Sequence, residues 1–239
     1  PPSYGMSRLE CFQQMAGKRD RGTNIHKLIE IYLEANQNRQ LLPKAQRLAI
    51  LSNGKANTSD VIRCLEQFVD AENQYTNAGW EPYRVEWTVF SSKENIAGQI
   101  DCVLQRRNSA AQMEYCVLDW KTTERDGTKA DWKKPKMYWP VAHLPNSLNT
   151  EYLLQVSKYA QILKEEYGIP VTEVRIVKLN PAKSSSSAET IVSTPLYGDI
   201  QKMNNAWMQY RSLRDRTKAW EHGSKESEIF PKFPFPTPT

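Results

Sequence analysis

The first third of the chain has apolar residues at helical spacing, which predicts two helical regions. Residues 8–36 favour a helix pair or one interrupted helix, because an RGTN sequence can break the helix there and Thr23 or Asn24 can cap the part that follows. A polar surface connection is predicted over 37–57. A further helix is predicted over about 59–75, with one apolar stripe that packs against the body of the protein.

The middle of the chain alternates between apolar and polar residues, which predicts strands. Residues 82–90 alternate with period two, and an antiparallel partner is expected over 96–104. The polar residues 106–112 predict a hairpin turn that leads into a third strand at 114–119. On the first strand the alternation would place Val85, Trp87 and Val89 on one face.

The last third returns to helical spacing. A helix capped by Asn149 or Thr150 is predicted to run to about Tyr167, and Gly168 and Pro170 are suited to end it. The remaining pattern predicts a strand at 171–179, a strand near 190–196, a helix from about 199 with apolar residues at helical spacing (Met203, Trp207, Tyr210 and Leu213), and an extended proline-rich tail at 226–239.

The composition places these elements in one globular domain with insertions. A chain of 239 residues with 39% apolar residues can bury a full core. No apolar run is long enough to span a bilayer, and the first residues lack the pattern of a secretory signal, so no membrane association is expected. The four cysteines, Cys11, Cys64, Cys102 and Cys116, show no zinc-site spacing, and we expect an intracellular, reducing compartment without a disulfide framework.

The chain is slightly basic. Thirty-two basic residues against 27 acidic ones give a net charge of +5. This modest excess permits a polyanionic partner without demonstrating one.

Two carboxylates near the ends of neighbouring predicted strands are the strongest candidates for chemistry. Asp101 ends a GQID sequence, and Asp119 begins a DWK sequence that contains Lys121. Side chains two residues apart in a strand share a face, so Asp119 and Lys121 point the same way. A carboxylate pair can hold a divalent metal, and an adjacent ammonium can orient or activate a water. These residues predict cleavage of phosphodiesters; the alternative is an exposed hairpin with solvated charges.

Other polar residues could join the same site. His26 lies early in a predicted helix, and a neutral imidazole is a common ligand for a transition metal such as manganese. Glu86 would lie near Asp101, which indicates a role at a second metal or in positioning a water. Gln155 and Tyr159 are four residues apart and share a helix face. Taken singly, each is more often a surface or satisfied core residue.

The segment 125–147 is basic and carries Trp132, Tyr138 and Trp139. Aromatic rings interleaved with lysines are suited to stacking unpaired bases beside phosphate contacts, so Trp132 and Trp139 are candidate nucleic-acid contacts. The alternative, to which we give equal weight, is a loop that its aromatic residues anchor to the body of the protein.

Together these motifs resemble the RecB-like exonuclease branch of the PD-(D/E)XK nuclease superfamily. The shared pattern is RGTNIH around His26, then Glu86, GQID ending at Asp101, DWK at 119–121 and QVSKY at 155–159. Within the branch, the GQIDCV and LDWKTTE sequences are most similar to the mitochondrial genome maintenance exonucleases and their viral and bacterial relatives.

The resemblance covers roughly residues 20–180 and implies an α/β fold. The expected core is restriction-endonuclease-like, a central mixed β-sheet flanked by helices, with an N-terminal helical portion. We expect a single nuclease domain over 1–225, composed of a helical part (8–80), a catalytic sheet core (82–180) and a C-terminal strand and helix (190–222), followed by the tail.

The resemblance also implies residue roles by position. The implied metal ligands are His26, Asp101, Asp119 and the backbone carbonyl of Trp120; Lys121 is the catalytic lysine, and Glu86 assists a second ion or the attacking water. The implied nucleic-acid contacts are Gln155 and Tyr159, with Thr122 and Arg21 as weaker candidates for contact with phosphate.

The implied activity is metal-dependent hydrolysis of phosphodiester bonds, with DNA favoured over RNA and one or two Mg²⁺ or Mn²⁺ ions as cofactors. An exonuclease acting on single strands or ends, in DNA repair, recombination or replication, is the first hypothesis. The alternatives are an endonuclease, on DNA or on RNA as in segmented viruses, and an inactive module for nucleic-acid binding or assembly. Many exonucleases of this branch hold an iron–sulfur cluster, but no cysteine follows Cys116, so no cluster is expected; protein partners remain unknown.

Overall fold

A five-stranded sheet with helices on both faces forms the body of the protein. The computed structural model describes residues 8–35, 46–48, 50 and 58–220. The predicted tail at 226–239 and most of the predicted connection at 37–57 lie outside the described residues. In chain order the elements are α1 (Arg8–Ala35), α2 (Ser59–Asn77), β1 (Glu81–Ser91), β2 (Ile96–Arg107), β3 (Met113–Thr122), α3 (Leu148–Tyr167), β4 (Val171–Leu179), β5 (Glu189–Ser193) and α4 (Tyr197–Trp220).

The sheet is mixed and its strand order follows the chain, β1-β2-β3-β4-β5. Neighbouring strands are antiparallel except β3 and β4, which run parallel. Parallel neighbours need a crossover, and here the crossover consists of the long connection after β3 and helix α3. This confirms the predicted α/β architecture, with a mixed sheet flanked by helices and preceded by helical segments.

Two hydrophobic cores lie on opposite faces of the sheet. On one face, α1 and α2 bury their apolar sides against β2, β3 and β4, with Trp120 and Phe68 in contact at 5.1 Å between ring centroids. On the other face, α3 packs Val156, Ala160 and Leu163 against the same strands. Because β2, β3 and β4 are covered on both sides, polar side chains at their ends are held in fixed positions.

The predicted break in the first helix is wrong, because α1 is continuous from Arg8 to Ala35. Thr23 does not cap a new helix; its hydroxyl donates to the carbonyl of Arg19 at 3.1 Å, one turn back in the same helix. Gly22 makes the free energy of helix formation in this turn about 1 kcal/mol less favourable than alanine would. Burial of the residues that follow, including Ile25, offsets that cost.

The predicted cap of α3 is also wrong by a few residues. The N-cap is Ser147, whose side chain accepts a hydrogen bond from the backbone N–H of Thr150. At the other end the prediction is confirmed, since Gly168 ends the helix in a left-handed conformation with φ of 69°.

Helix α4 starts close to its predicted position, but its regularly spaced apolar residues do not form a buried face. Met203, Trp207 and Tyr210 are each more than one-third exposed, and the last two stack on each other at 5.6 Å between ring centroids. The preceding strand, β5, ends at Ser193, earlier than predicted. In the part of the chain that the structure describes, no helix is long and apolar enough to cross a bilayer.

Candidate active site

The side chains of β1 switch from one face of the sheet to the other at Glu86, which lies opposite Asp101. Val85 pairs with Cys102 and Trp87 pairs with Ile100, so the two acids are placed across from each other. Glu86 has φ of 47°, a left-handed conformation that is uncommon for a non-glycine residue and is often found at functional sites.

The prediction that Val85, Trp87 and Val89 share one face of the sheet is wrong because of this local conformation. Val85 packs in the core beneath α1 and α2, whereas Trp87 and Val89 pack in the core beneath α3. Strict alternation assumes a regular strand, and the left-handed residue Glu86 interrupts that regularity.

Helix α1 brings an imidazole to the same position. His26 Nδ1 lies 3.5 Å from Asp101 Oδ2. One potential ligand atom from each of His26, Glu86 and Asp101 falls within 4.8 Å of the others. The neighbouring Ile25 and Ile29 are buried, and they hold this turn of the helix against the sheet.

The second carboxylate sits on β3, one residue before Trp120. The backbone N–H of Trp120 donates to Asp101 Oδ2 at 2.8 Å, which ties the middle of β2 to the C-terminal part of β3. The ring of Trp120 points to the face of the sheet opposite to Asp119 and is buried in the core beneath α1 and α2. This bond brings Asp119 beside Asp101, while the role of the Trp120 carbonyl as a ligand stays a prediction.

Asp119 and Lys121 point the same way, as their spacing predicts. Lys121 Nζ donates to Asp119 Oδ1 at 3.1 Å and lies 2.8 Å from its Oδ2. It also donates to Gln155 Oε1 at 3.0 Å, and Gln155 Nε2 donates to the Tyr159 hydroxyl at 3.3 Å. The ring of Tyr152 lies 5.0 Å from the ammonium. Helix α3 therefore fixes the position of the lysine from the side opposite to Asp119.

Gly98 makes room for one of these α3 side chains. A Cβ atom on Gly98 would lie 2.5 Å from Cε1 of Tyr159, far closer than carbon atoms approach. The glycine of the GQID sequence thus lets Tyr159 pack directly on the backbone of β2.

Burial and crowding of like charges perturb the acids of the site. Burial and the nearby Asp101 raise the pKa of Glu86 from 4.5 to about 7. Burial and Asp101 likewise raise the pKa of Asp119 from 3.8 to about 6, against the opposing effect of Lys121. Burial alone would lower the pKa of His26, but its hydrogen bond with Asp101 and the surrounding carboxylates raise it.

These features fit a divalent cation. The three clustered side chains supply one nitrogen and carboxylate oxygens, a donor set suited to Mn²⁺ and, through the oxygens, to Mg²⁺. The Asp119 carboxylate is buried and lies outside this three-residue cluster, with the ammonium of Lys121 2.8 Å from its Oδ2. A bound cation would relieve the repulsion that raises the pKa values of Glu86 and Asp119.

The remaining predicted contacts lie elsewhere or are already engaged. Arg21 bridges Asp60 at 2.9 Å and Glu124 at 3.0 Å, so both terminal nitrogens of its guanidinium are paired with carboxylates. The hydroxyl of Thr122 is buried without a hydrogen-bond partner. Trp132 and Trp139 lie on the connection between β3 and α3 and are exposed. Contact of these four residues with nucleic acid, like that of Gln155 and Tyr159, stays a prediction.

Three polar residues of the site were not predicted. Lys27, Glu30 and Gln99 line, together with the His26 cluster, a cleft of about 350 Å³. Two of them could have been found from spacing: Glu30 is four residues after His26 on a helix, and Gln99 is two residues before Asp101 on a strand. Lys27 Nζ donates to Glu30 at 2.7 Å, so the positively charged group at the rim of the cleft is the ammonium of Lys27.

The raised pKa values predict how stability depends on pH when a chelator removes divalent ions. Glu86 and Asp119 bind a proton more tightly in the folded protein, so each favours folding at low pH and loses that contribution as the pH rises through about 6 to 7. We expect the free energy of unfolding to fall between about pH 5 and pH 8, and Glu86→Gln to reduce that fall. Urea unfolding of both proteins at the two pH values measures the difference. An undiminished fall in Glu86→Gln would contradict the crowding described above.

Comparison with known proteins gives a family. A family model described as the PD-(D/E)XK nuclease superfamily matches residues 1–225. No curated protein matches the chain. Nineteen chains of solved structures match it, among them the one titled "Crystal structure of SSO0001", with 11% sequence identity, a TM-score of 0.28, and coverage of 87% of this chain and 85% of that chain.

Proposed function

We propose that this chain, which belongs to the PD-(D/E)XK nuclease superfamily, is a metal-dependent exonuclease that hydrolyses DNA at single strands or ends. Family membership supports a nuclease that uses a divalent metal ion. The observation that carries the proposal is that His26, Asp101, Asp119 and Lys121, which come from three separate elements, are neighbours on the sheet.

In this proposal the acids and the imidazole hold the ion. His26, Asp101 and Asp119 are the ligands, and Glu86 supports a second ion or the attacking water. The bound ion would supply Lewis-acid stabilisation of the negative charge that develops on the phosphate in the transition state.

Lys121 acts on the water or the phosphate beside the carboxylates. Its ammonium is held between Asp119 and Gln155, so its positive charge is fixed beside the position proposed for the reacting phosphate. A donor fixed before the reaction loses little freedom in the transition state, which increases its contribution. Gln155 and Tyr159 are positioning residues, because they act through the lysine.

Metal binding separates an enzyme from an inactive binding module. We expect calorimetry to show that Mn²⁺ binds the wild-type protein and binds Asp101→Asn at least about tenfold more weakly. Substitution of a residue that only supports a metal ligand already lowers metal affinity about tenfold or more, so loss of a ligand should lower it at least as much. Asp126→Asn is the matched control, because Asp126 lies on the connection and is exposed. Equal affinity of the wild type and Asp101→Asn for Mn²⁺ would contradict the proposed set of metal ligands.

The form of the substrate separates an exonuclease from an endonuclease. We expect linear single-stranded DNA to be degraded and a covalently closed circle of the same sequence to stay intact, because a closed circle offers no end. Gel analysis of end-labelled DNA and RNA, with Mg²⁺, with Mn²⁺ and with chelator, makes the measurement. Cleavage of the circle at the rate of the linear form would replace the exonuclease proposal with an endonuclease.

A further inference from the structure

The connection between β3 and α3, residues 125–147, displays three aromatic rings to solvent. Trp132 is 85% exposed, Tyr138 67% and Trp139 60%. Rings of this size usually bury much of their surface in a folded protein. Three exposed rings on one connection give it an apolar surface that a partner could cover.

These rings are not what holds the connection in place. Met137, Val141 and Leu144 pack against a small apolar cluster that also contains Leu154 of α3 and Ile200 of α4. The predicted alternative, a loop anchored by its aromatic residues, is therefore wrong. The rings are left available on a supported backbone.

Hydrogen bonds between the two halves of the connection give it a defined shape. The backbone N–H of Asp131 donates to the carbonyl of Asn146 at 2.8 Å, and that of Met137 donates to the carbonyl of Leu144 at 3.0 Å. The aromatic residues 132, 138 and 139 lie between or beside these bonds. A surface held in this way loses little conformational entropy when a ligand binds to it.

Lysines accompany the rings. Lys133 Nζ lies 5.1 Å from the centroid of the Trp132 ring, and Lys134 Nζ lies 4.9 Å from that of Tyr138. The connection contains five basic residues and two acidic ones. Flat apolar rings next to ammonium groups match a strand that offers bases and phosphates alternately.

Both ends of the connection join elements that carry the active site. It begins three residues after Thr122, where β3 ends just beyond Lys121, and it leads directly into α3, which carries Gln155. Near its start, the carbonyl of Gly127 accepts a hydrogen bond from the backbone N–H of Asn149 at 3.0 Å. A ligand on the connection would thus be held by the same elements that carry the proposed catalytic residues.

We propose that the connection is a stacking platform for an unpaired nucleic-acid strand, outside the metal cleft. The inference rests on the proposed nuclease function and adds to it a second contact surface for the unpaired strand. In a duplex each base already stacks on its neighbours, so exposed rings gain contacts only from a strand whose bases are unpaired. The platform would hold such a strand while another part of it occupies the cleft.

The test measures binding of a fluorescein-labelled oligothymidylate by anisotropy in chelator, so that catalysis plays no part. Trp132→Ala and Trp139→Ala should each weaken binding by about fivefold or more, since a base stacked on a ring contributes about 1–3 kcal/mol. Trp132→Phe should retain most of the affinity. Phe90→Ala is the matched control, since Phe90 is 58% exposed but lies on β1, and it should bind like the wild type.

Two further measurements define the partner. Binding of a blunt, fully paired duplex should be unaffected by Trp132→Ala, and Lys133→Gln should lower the slope of log affinity against log salt by about 0.7 if that lysine contacts a phosphate of a single strand. The platform is refuted if the alanine variants bind the oligonucleotide as tightly as Phe90→Ala, or if they lose duplex binding equally. Failure of the digestion assays, with ring-dependent binding intact, would refute the proposed nuclease and leave the platform standing.

Discussion

Asp119→Ala and Lys121→Ala should each reduce DNA hydrolysis by a factor on the order of 10³ or more, which corresponds to about 4 kcal/mol of transition-state stabilisation. Asp119 is proposed to hold the metal, and its side chain also fixes Lys121 at 2.8 Å. Loss of either residue removes charge stabilisation that nothing else among the described residues of the site can replace. Release of nucleotides from labelled linear DNA, under single-turnover conditions, gives the rate of the chemical step.

The variant Asp119→Asn distinguishes loss of chemistry from loss of folding. Burial and Asp101 raise the pKa of Asp119, so the ionised side chain is disfavoured in the folded protein when no cation is bound. The neutral amide of nearly equal size should therefore unfold in chelator at no lower urea concentration than the wild type, while activity is lost. Asp70→Asn, on α2 and outside both the cleft and the connection, serves as the control with full activity. Near-normal cleavage by Asp119→Asn or Lys121→Ala would overturn the assignment.

The arrangement of Asp101, Asp119 and Lys121 could be predicted because it depends mostly on local geometry. Side chains two residues apart on a strand share a face, and the antiparallel register of β2 and β3, which pairs Cys102 with Leu118, brings Asp101 close to Asp119. The structure places Lys121 on Asp119 and ties Asp101 to Trp120, as this reasoning requires. His26 was found only through its motif, since a lone histidine on a helix has no local signal of its own.

The features that were mispredicted depend on contacts between elements distant in sequence. The conformation of Glu86 and the change of face beside it have no signature in an alternating sequence. The continuity of α1 through Gly22 reflects burial against the sheet, which outweighs the low helix propensity of the RGTN sequence. Likewise, whether the rings of 125–147 face inward or outward is decided by which other residues fill the small core beneath them.

Gly98→Ala should lower both stability and activity, because the added methyl group has no space. Its Cβ would lie 2.5 Å from Cε1 of Tyr159, so the ring must move away from β2. Such overpacking costs about 1–3 kcal/mol in the free energy of unfolding. Tyr159 is hydrogen-bonded to Gln155, which in turn holds Lys121, so displacement of the ring also disturbs the proposed catalytic lysine. Urea unfolding and the single-turnover rate measure the two effects.

A double-mutant cycle shows whether Gly98 acts through Tyr159. Tyr159→Ala removes the three atoms nearest to the methyl group of Gly98→Ala, so the second substitution should then add little to the loss of stability or rate. Additive losses would mean that Gly98 matters for another reason, such as the local conformation of β2. A strongly non-additive result in both measurements would show that a backbone position on β2 sets the geometry of a lysine on β3 through one aromatic ring of α3.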